Sequence, residues 1–146
     1  MNKKIRIYTD GACRGNPGPG GWGAILIYED YRKEIYGGSL LTTNNIMELT
    51  AVIESLKKLK FTSNIIITTD SKYVKDGITK WIYNWKKKNW KTANKKPVKN
   101  KELWIELDNS IQDHKITWEW VKGHSGHTEN ERADFLANKG IDSLYK

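Results

Sequence analysis

Two aspartates come at or near the ends of predicted strands, Asp10 in "IYTDG" and Asp70 in "ITTDS". In open α/β sheets, ligands gather at the carboxyl ends of the strands where the topology switches. If the strand that ends near Asp10 pairs beside the strand that ends at Asp70, the two carboxylates meet. A pair of carboxylates held this way can bind a divalent cation.

Two further acids lie on predicted helices. Glu48 and Asp134 are each at the edge of the apolar stripe of a helix, beside Leu49 and Ala133, and each can reach the rim of the core. Carboxylates about 4 Å apart repel by about 4 kcal/mol near a protein surface, and a divalent cation relieves that repulsion. Oxygen ligands in this number favour Mg²⁺ or Mn²⁺ over zinc, which usually draws on His or Cys.

Each acid also has an ordinary structural interpretation. Asp10 precedes a glycine and fits a turn, and Asp70 or the serine after it fits a helix N-cap. Glu48 and Asp134 fit solvated positions on their helices. Spacing alone does not show that the four carboxylates converge.

The histidines offer a candidate for proton transfer. His124 lies in "VKGHSGHTEN", a glycine-flanked loop between the last strand and the last helix, where it is exposed enough to move protons near neutral pH. His127 is the competing candidate, although it fits the entry of the last helix better. His114 is given no role.

Five strands are expected to position these groups. Alternation in "KKIRIYTD", "GWGAILIY" and "KEIYGGSLL" predicts three consecutive antiparallel strands. The continuous apolar run "NIIITTD" is typical of a central strand reached by a parallel crossover, and "KITWEWV" predicts a fifth strand.

The first and last helices have the clearest periodicity. Apolar residues recur at helical spacing over residues 44–61, which predicts a long amphipathic helix. At the last helix, Thr128 and Glu131 predict a capping box, and Gly140 predicts the C-terminal stop. Shorter helices are expected in "SKYVKDGITKWIYNWKKK" and "NKELWIELDNSIQ".

The length of the chain predicts a single domain over residues 1–146. Its positive charge is concentrated in one segment. The formal net charge is +8, and nine lysines but no acid fall between Gly77 and Lys101. Lysines with interleaved Trp81, Trp85 and Trp90 favour a surface that binds a polyanion such as nucleic acid. A solvated charged face is the alternative, and membrane binding is disfavoured because the apolar stripe is short and no acylation signal accompanies it.

Cysteine use and the N-terminal residues bear on the compartment. Cys13 is alone, so the chain contains no disulfide pair and no cysteine-based zinc set. Residues 1–12 have only isolated apolar side chains, which fits neither a signal peptide nor a membrane span. We therefore expect a cytoplasmic protein.

Four segments together resemble the bacterial type 1 ribonucleases H: "YTDGACRGNPGPGGWGAIL", "NNIMELTAVIESL", "ITTDSKYV" and "WVKGHSGHTENERADFLA". The likeness runs from Ile5 to about Ile141. It implies an α/β fold with a mixed five-stranded sheet, three antiparallel strands plus two parallel, helices on both faces and a basic helical protrusion over about 80–101. It also implies an endonuclease that hydrolyses the RNA strand of RNA/DNA hybrids, leaves 5′-phosphate and 3′-hydroxyl ends, and removes RNA primers and R-loops.

The resemblance assigns roles to the candidate residues. It makes Asp10, Glu48, Asp70 and Asp134 the metal-binding carboxylates for two Mg²⁺ ions, with Mn²⁺ as a possible substitute. It makes His124 an assisting residue, whose loss impairs the rate less than loss of an acid.

The substrate is expected to contact a larger set of residues. By resemblance, the 2′-hydroxyls of the RNA are addressed by Cys13, Gly15, Asn16, Asn44 and Asn45, a DNA-strand phosphate is held by Thr43 and Asn100, and the basic protrusion is represented by Trp81, Trp85, Lys86, Lys87 and Lys88. Lys72 departs from the pattern, since close bacterial relatives usually carry glutamine there. A lysine can contact a phosphate instead of a base edge.

The stretch at 8–23 contains six glycines and two prolines. On the resemblance, Gly11 and Gly15 leave the main chain uncovered, so that a nucleic-acid backbone comes close to Asp10.

Two alternative functions have some support from the sequence. A DNA-acting nuclease of the resolvase or integrase type also uses a few acids on such a sheet, but the basic protrusion and "GHSGHTENERAD" argue against it. An inactive hybrid-binding module is disfavoured because all four acids are present. We expect a monomer with no obligate protein partner.

Overall fold

The strands form one mixed sheet in the computed structural model, which describes residues 4–122 and 127–145. The spatial order is β3-β2-β1-β4-β5, with β1–β2 and β2–β3 antiparallel and β1–β4 and β4–β5 parallel. This confirms the expected sheet. The strands are β1 Lys4–Cys13, β2 Gly18–Tyr28, β3 Tyr31–Thr42, β4 Asn64–Thr69 and β5 Lys115–Trp120.

The α-helices are α1 Asn44–Lys57, α2 Lys72–Asp76, α3 Ile82–Lys87, α4 Lys101–Gln112 and α5 Thr128–Asp142. A π-helical turn over Gly77–Trp81 joins α2 to α3. Helix α1 ends at Lys57 rather than continuing to Phe61, because the next amides bond to carbonyls only three residues back and tighten the last turn. In the described part of the chain, no helix combines the length and the apolarity needed to cross a membrane.

Helices cover both faces of the sheet. Ile7 of β1 and Ile67 of β4 belong to the larger core, which α1 and α4 complete with residues such as Leu49 and Trp104. Tyr8, the next residue along β1, belongs to a smaller core on the other face. Helix α5 lies against β1, β2 and β3. The alternation expected for β1 is therefore confirmed.

Both expected ends of α5 were wrong. The N-cap is His127 rather than Thr128, and its Nδ1 accepts a hydrogen bond from the Asn130 amide at 3.3 Å. The helix continues past Gly140 to Asp142. Gly140 is buried against the Gly37 backbone of β3, so that this glycine permits close packing instead of stopping the helix.

Candidate active site

The sheet brings Asp10 and Asp70 to neighbouring positions. Parallel pairing of β1 with β4 runs as far as Tyr8 opposite Thr68. Beyond that pair β1 continues only alongside β2, where Asp10 is opposite Gly23. Asp70 follows the last residue of β4. Both side chains therefore lie where two parallel strands separate, the position at which such sheets bind ligands.

Helix α1 brings Glu48 to the same place. Thr43 caps this helix, its Oγ1 accepting from the Ile46 amide at 3.2 Å. The helix packs closely on β1 at Gly11, where an added Cβ would lie 2.6 Å from the Glu48 amide nitrogen. Gly11 is thus buried and allows Glu48 to approach Asp10.

This packing adds a structural role to the one expected for Gly11. Its missing side chain makes room for α1, and its main chain also lines the cleft beside Asp10. Gly15 differs, because it is exposed in the loop after β1 and has a φ of +85°, a conformation that favours glycine.

The four acids share one cleft of about 500 Å³. One carboxylate oxygen each of Asp10, Glu48 and Asp70 lie within 4.8 Å of one another. Asp134, from α5, lines the same cleft as Asp10. Asp10 and Glu48 are only 6% and 7% exposed. The expected convergence of the acids is therefore present.

Burial and mutual repulsion strongly perturb two of these carboxyls. Burial raises the pKa of Asp10 from 3.8 to about 9, with Asp70 and Asp134 adding to the rise and a Gly11 backbone hydrogen bond opposing it. The pKa of Glu48 is also raised, first by burial and then by Asp10 and Asp70. All the side chains that raise these two pKa values, within the described residues, are carboxylates, and no cationic side chain lowers either value.

The donor set fits a hard divalent cation. Glu48 Oε1 is buried without a hydrogen-bond partner among the described residues, although buried carboxylate oxygens are normally paired. A bound cation would pair with this oxygen and offset the repulsion between the acids. Carboxylate oxygens are the ligands that Mg²⁺ and Mn²⁺ prefer.

Polar side chains surround the acids on the side of the β1–β2 loop. Asn16 Oδ1 accepts a hydrogen bond from the Asn44 amide at 3.1 Å, which ties this loop to the start of α1. The Cys13 thiol donates to the Gly15 carbonyl at 2.7 Å. Of the expected substrate contacts, the cleft is lined by Cys13, Asn44, Asn45 and Lys72.

The tryptophans of the protrusion are packed as well as partly exposed. The Trp85 ring contacts those of Trp81, Trp90 and Trp104, with centroid separations of 5.7, 6.2 and 5.3 Å. Trp85 therefore packs against the larger core in addition to presenting a surface.

The lysines of the protrusion are not equivalent. Lys86 forms an ion pair with Asp108 at 3.2 Å, whereas Lys87 and Lys88 are exposed and form no ion pair within residues 4–122 and 127–145. Lys87 and Lys88 are the better placed to meet a polyanion.

Sequence reasoning missed Tyr73, which lines the acidic cleft. Its hydroxyl accepts hydrogen bonds from Asn100 Nδ2 at 3.1 Å and from Trp104 Nε1 at 2.9 Å. Tyr73 thereby connects the cleft with the residue expected to hold a DNA-strand phosphate. The available signal was its place in the helix that follows Asp70.

Of the two histidine candidates, His124 lies outside the described residues. His127 is the N-cap of α5, which confirms its expected place at the start of that helix. Its ring packs on Tyr8 with a centroid separation of 5.6 Å.

Residues 2–142 match the RNase H family model. A ribonuclease H of Alcanivorax borkumensis is 63% identical over 142 residues, covering 97% of this chain and 94% of the relative. A ribonuclease HI of Neisseria meningitidis serogroup B is 59% identical over 140 residues, covering 96% and 97%.

Solved structures agree with the sequence relatives. LC9-RNase H1, a type 1 RNase H with the type 2 active-site motif, has a TM-score of 0.88 at 32% identity, covering 98% of this chain and 74% of that one. LC11-RNase H1, solved in complex with an RNA/DNA hybrid, has a TM-score of 0.75 at 25% identity, covering 97% and 99%.

A mixed sheet with a carboxylate cluster where its parallel strands separate fits a metal-dependent nuclease of the α/β class. Together with the matches, this shows that the chain belongs to the ribonuclease H family.

Proposed function

We propose that the protein hydrolyses the RNA strand of RNA/DNA hybrids with Mg²⁺ held by Asp10, Glu48, Asp70 and Asp134. The observation that supports this proposal is the buried carboxylate cluster, in which no cationic side chain lowers the raised pKa values of Asp10 and Glu48. When bound, the divalent ions supply an activated water and stabilise the leaving oxygen. The chain then acts as one catalytic domain that releases 5′-phosphate and 3′-hydroxyl ends.

The chain's own residues have separate tasks in this proposal. The acids would hold the metal ions at which the scissile phosphate binds, and the raised pKa of Glu48 shows that its site favours a positive charge nearby. Cys13, Asn16, Asn44 and Asn45 address the 2′-hydroxyls, which distinguish RNA from DNA.

The remaining contacts lie farther from the acids. Thr43 and Asn100 hold the DNA strand, and the protrusion holds its neighbouring phosphates. His124 assists proton transfer or product departure.

The proposal includes a cytoplasmic location and a monomeric state. A lone thiol at Cys13 fits a reducing compartment. All four acids come from one chain, so that the cleft is complete without a second copy. Gel filtration with light scattering tests the monomer, and a dimer mass at working concentration would contradict it.

The central experiment incubates the protein with an RNA strand labelled at its 5′ end and paired to DNA, with Mg²⁺ or with EDTA. We expect internal cuts only with Mg²⁺ and only in the RNA. The matching DNA duplex is the control: equal or preferential cleavage of DNA indicates a resolvase-like enzyme, and binding without cleavage indicates an inactive module.

Substitution of His124 tests its assisting role. We expect His124→Ala to lower kcat by about 100-fold, the lower end of the usual contribution of a proton-transfer group, and by less than the loss from an acid. An unchanged kcat would remove His124 from the mechanism.

A further inference from the structure

A second cleft of about 490 Å³ lies beside the acidic cleft. The two share a wall formed by Asp70, Ser71 and Lys72. The second cleft lies between the start of α2 and the end of β5, which contributes Trp120 and Lys122. A molecule bound at the acids could therefore continue into it without leaving the surface.

The two clefts have opposite charge. Four acids and Lys72 line the first cleft. The second is lined by four lysines, Lys72, Lys75, Lys80 and Lys122, against Asp70 and Asp76. A chain of phosphates whose scissile group is bound at the acids would meet a net positive surface on this side.

Most of that positive charge is free to meet a ligand. Lys80 is paired with Asp76 at 3.6 Å. Lys72, Lys75 and Lys122 are exposed and form no ion pair with any residue that the structure describes. Lys75 is one turn from Lys72 along the same helix, so these two lysines face the same way.

The position of the second cleft in the sheet indicates which strand it would meet. Thr43, expected to hold the DNA strand, follows β3 at one edge of the sheet. Lys122 follows β5 at the opposite edge, and the acids lie between them. The second cleft is therefore closer to the strand that passes over the acids than to the DNA-strand phosphate expected at Thr43.

We propose that Lys72, Lys75 and Lys122 bind a phosphate of the RNA strand adjacent to the scissile one. This inference rests on the proposed function, since it needs the RNA strand to lie over the acids. It explains the lysine at 72 as part of a phosphate subsite that the neighbouring lysines complete. The ring of Trp120, stacked on Trp118 at 5.3 Å, forms an apolar wall for the attached sugar.

The test uses the double variant Lys75→Gln/Lys122→Gln, which leaves Lys72 and the acids intact. We expect KM for a hybrid to rise about 5- to 50-fold with kcat kept within about two-fold. The slope of log KM against log salt should fall by about 0.9 for each phosphate that the variant no longer neutralises on a B-like duplex. The matched control, Lys58→Gln/Lys60→Gln, makes the same charge change at the opposite end of the sheet and should leave KM within about two-fold.

A scan of neutral methylphosphonates then locates the phosphate. Hybrids carry one such linkage at successive positions of the RNA strand beside a fixed cleavage site. At one position next to that site, the substitution should raise KM less for the double variant, which keeps only Lys72, than for the parent, because lysines and phosphate contribute to one interaction. Additive losses at every RNA position, or a KM change no larger than in the control, would overturn the subsite.

Other results separate this inference from the proposed function. If the non-additive effect on KM appears at a position on the DNA strand instead, the second cleft binds the DNA strand and the inference is overturned. A parent protein that leaves the hybrid uncut in Mg²⁺ would overturn the proposed function itself. Thermal melting of each variant checks that both double variants remain folded.

Discussion

Glu48 shows how one residue depends on both its own chemistry and its burial. On sequence it is a polar position next to Leu49 in an amphipathic helix. In the structure it is 7% exposed, and Oε1 has no partner among the described residues. An acid so placed destabilises the protein unless it is protonated or bound to a cation. Without a bound cation, Glu48 therefore lowers the free energy of unfolding. The position suits cation binding rather than stability.

The variant Asp10→Asn tests whether an acid of the cluster is needed for cleavage and lowers stability when no metal is bound. Cleavage should fall at least about 100-fold, because a ligand to the catalytic cation is removed. In EDTA near pH 7 the variant should be more stable than the parent by about 1 kcal/mol or more, the equivalent of one pKa unit. Urea unfolding measures the stability. Asp113→Asn, at an exposed site, is the control, and equal stability of Asp10→Asn and the parent would contradict the strain assigned to the cluster.

The same site sets a pH dependence for the metal-free protein. The folded state holds the Asp10 proton up to about pH 9, whereas the unfolded chain releases it near 3.8. The folded state thus binds more protons between these values, and stability falls as pH rises through that window. Asp10→Asn should flatten the fall in a series of urea titrations in EDTA.

Element packing depends on glycines at contact points. Gly77 lies in the π-helical turn and is buried, as is Trp104 of α4. A Cβ on Gly77 would overlap the Trp104 ring. Glycine thus lets the segment that carries Tyr73 lie directly on α4.

Gly77→Ala should destabilise the protein by roughly 1–3 kcal/mol, the usual cost of overpacking a core. Trp104→Phe replaces the indole, whose six-membered ring the new methyl group would overlap, with a smaller side chain. The double variant should therefore lose less stability than the sum of the two single losses. Urea unfolding of the four proteins gives the coupling. Strict additivity would show that the ring is not what the new methyl group meets.

Ion pairs join β3 to the first turns of α5, the helix that carries Asp134. Arg132 donates to both carboxylate oxygens of Glu34 at 2.7 and 2.8 Å, and Arg32 donates to both of Glu129 at 2.6 and 2.9 Å. Hydrogen bonding from Arg132 lowers the pKa of Glu34 from 4.5 to about 2. These pairs attach the N-terminal part of α5 to β3.

Acid should therefore weaken this attachment. Because the folded-state pKa is the lower one, the stabilisation from Glu34 is complete above about pH 4.5 and is lost as pH falls towards about 2. Glu34→Gln should lower the melting temperature at pH 6 and have less effect at pH 2.5. Glu102→Gln, exposed on α4, is the matched control. A loss from Glu34→Gln that is equal at both pH values would count against the ion pairs.

The whole molecule has an uneven charge distribution. The nine lysines between Gly77 and Lys101 exceed the formal net charge of +8, so that the rest of the chain is close to neutral. The acidic cleft would by itself repel a polyanion. Long-range attraction must therefore come from the protrusion, with the metal acting only at close range.

Lys87→Gln/Lys88→Gln should weaken hybrid binding and reduce the slope of log affinity against log salt by about 0.9 for each phosphate left without its lysine. Lys86→Gln should have a smaller effect, because Lys86 is already paired with Asp108. Fluorescence anisotropy at several salt concentrations measures both. An unchanged slope in the double variant would show that the protrusion does not touch phosphates.

The sequence by itself predicted the strands and the helical stripes and singled out the four candidate acids, because these depend on local periodicity and on short motifs. It did not determine the end of α1, the His127 cap or the continuation of α5 through Gly140. The end of α1 and the His127 cap depend on which of several neighbouring amides bond, and residue types alone do not specify this. Only the tertiary structure decided the continuation of α5, since Gly140 packs on the distant Gly37 backbone of β3. The same holds for Gly11, whose missing side chain is required by the close approach of α1.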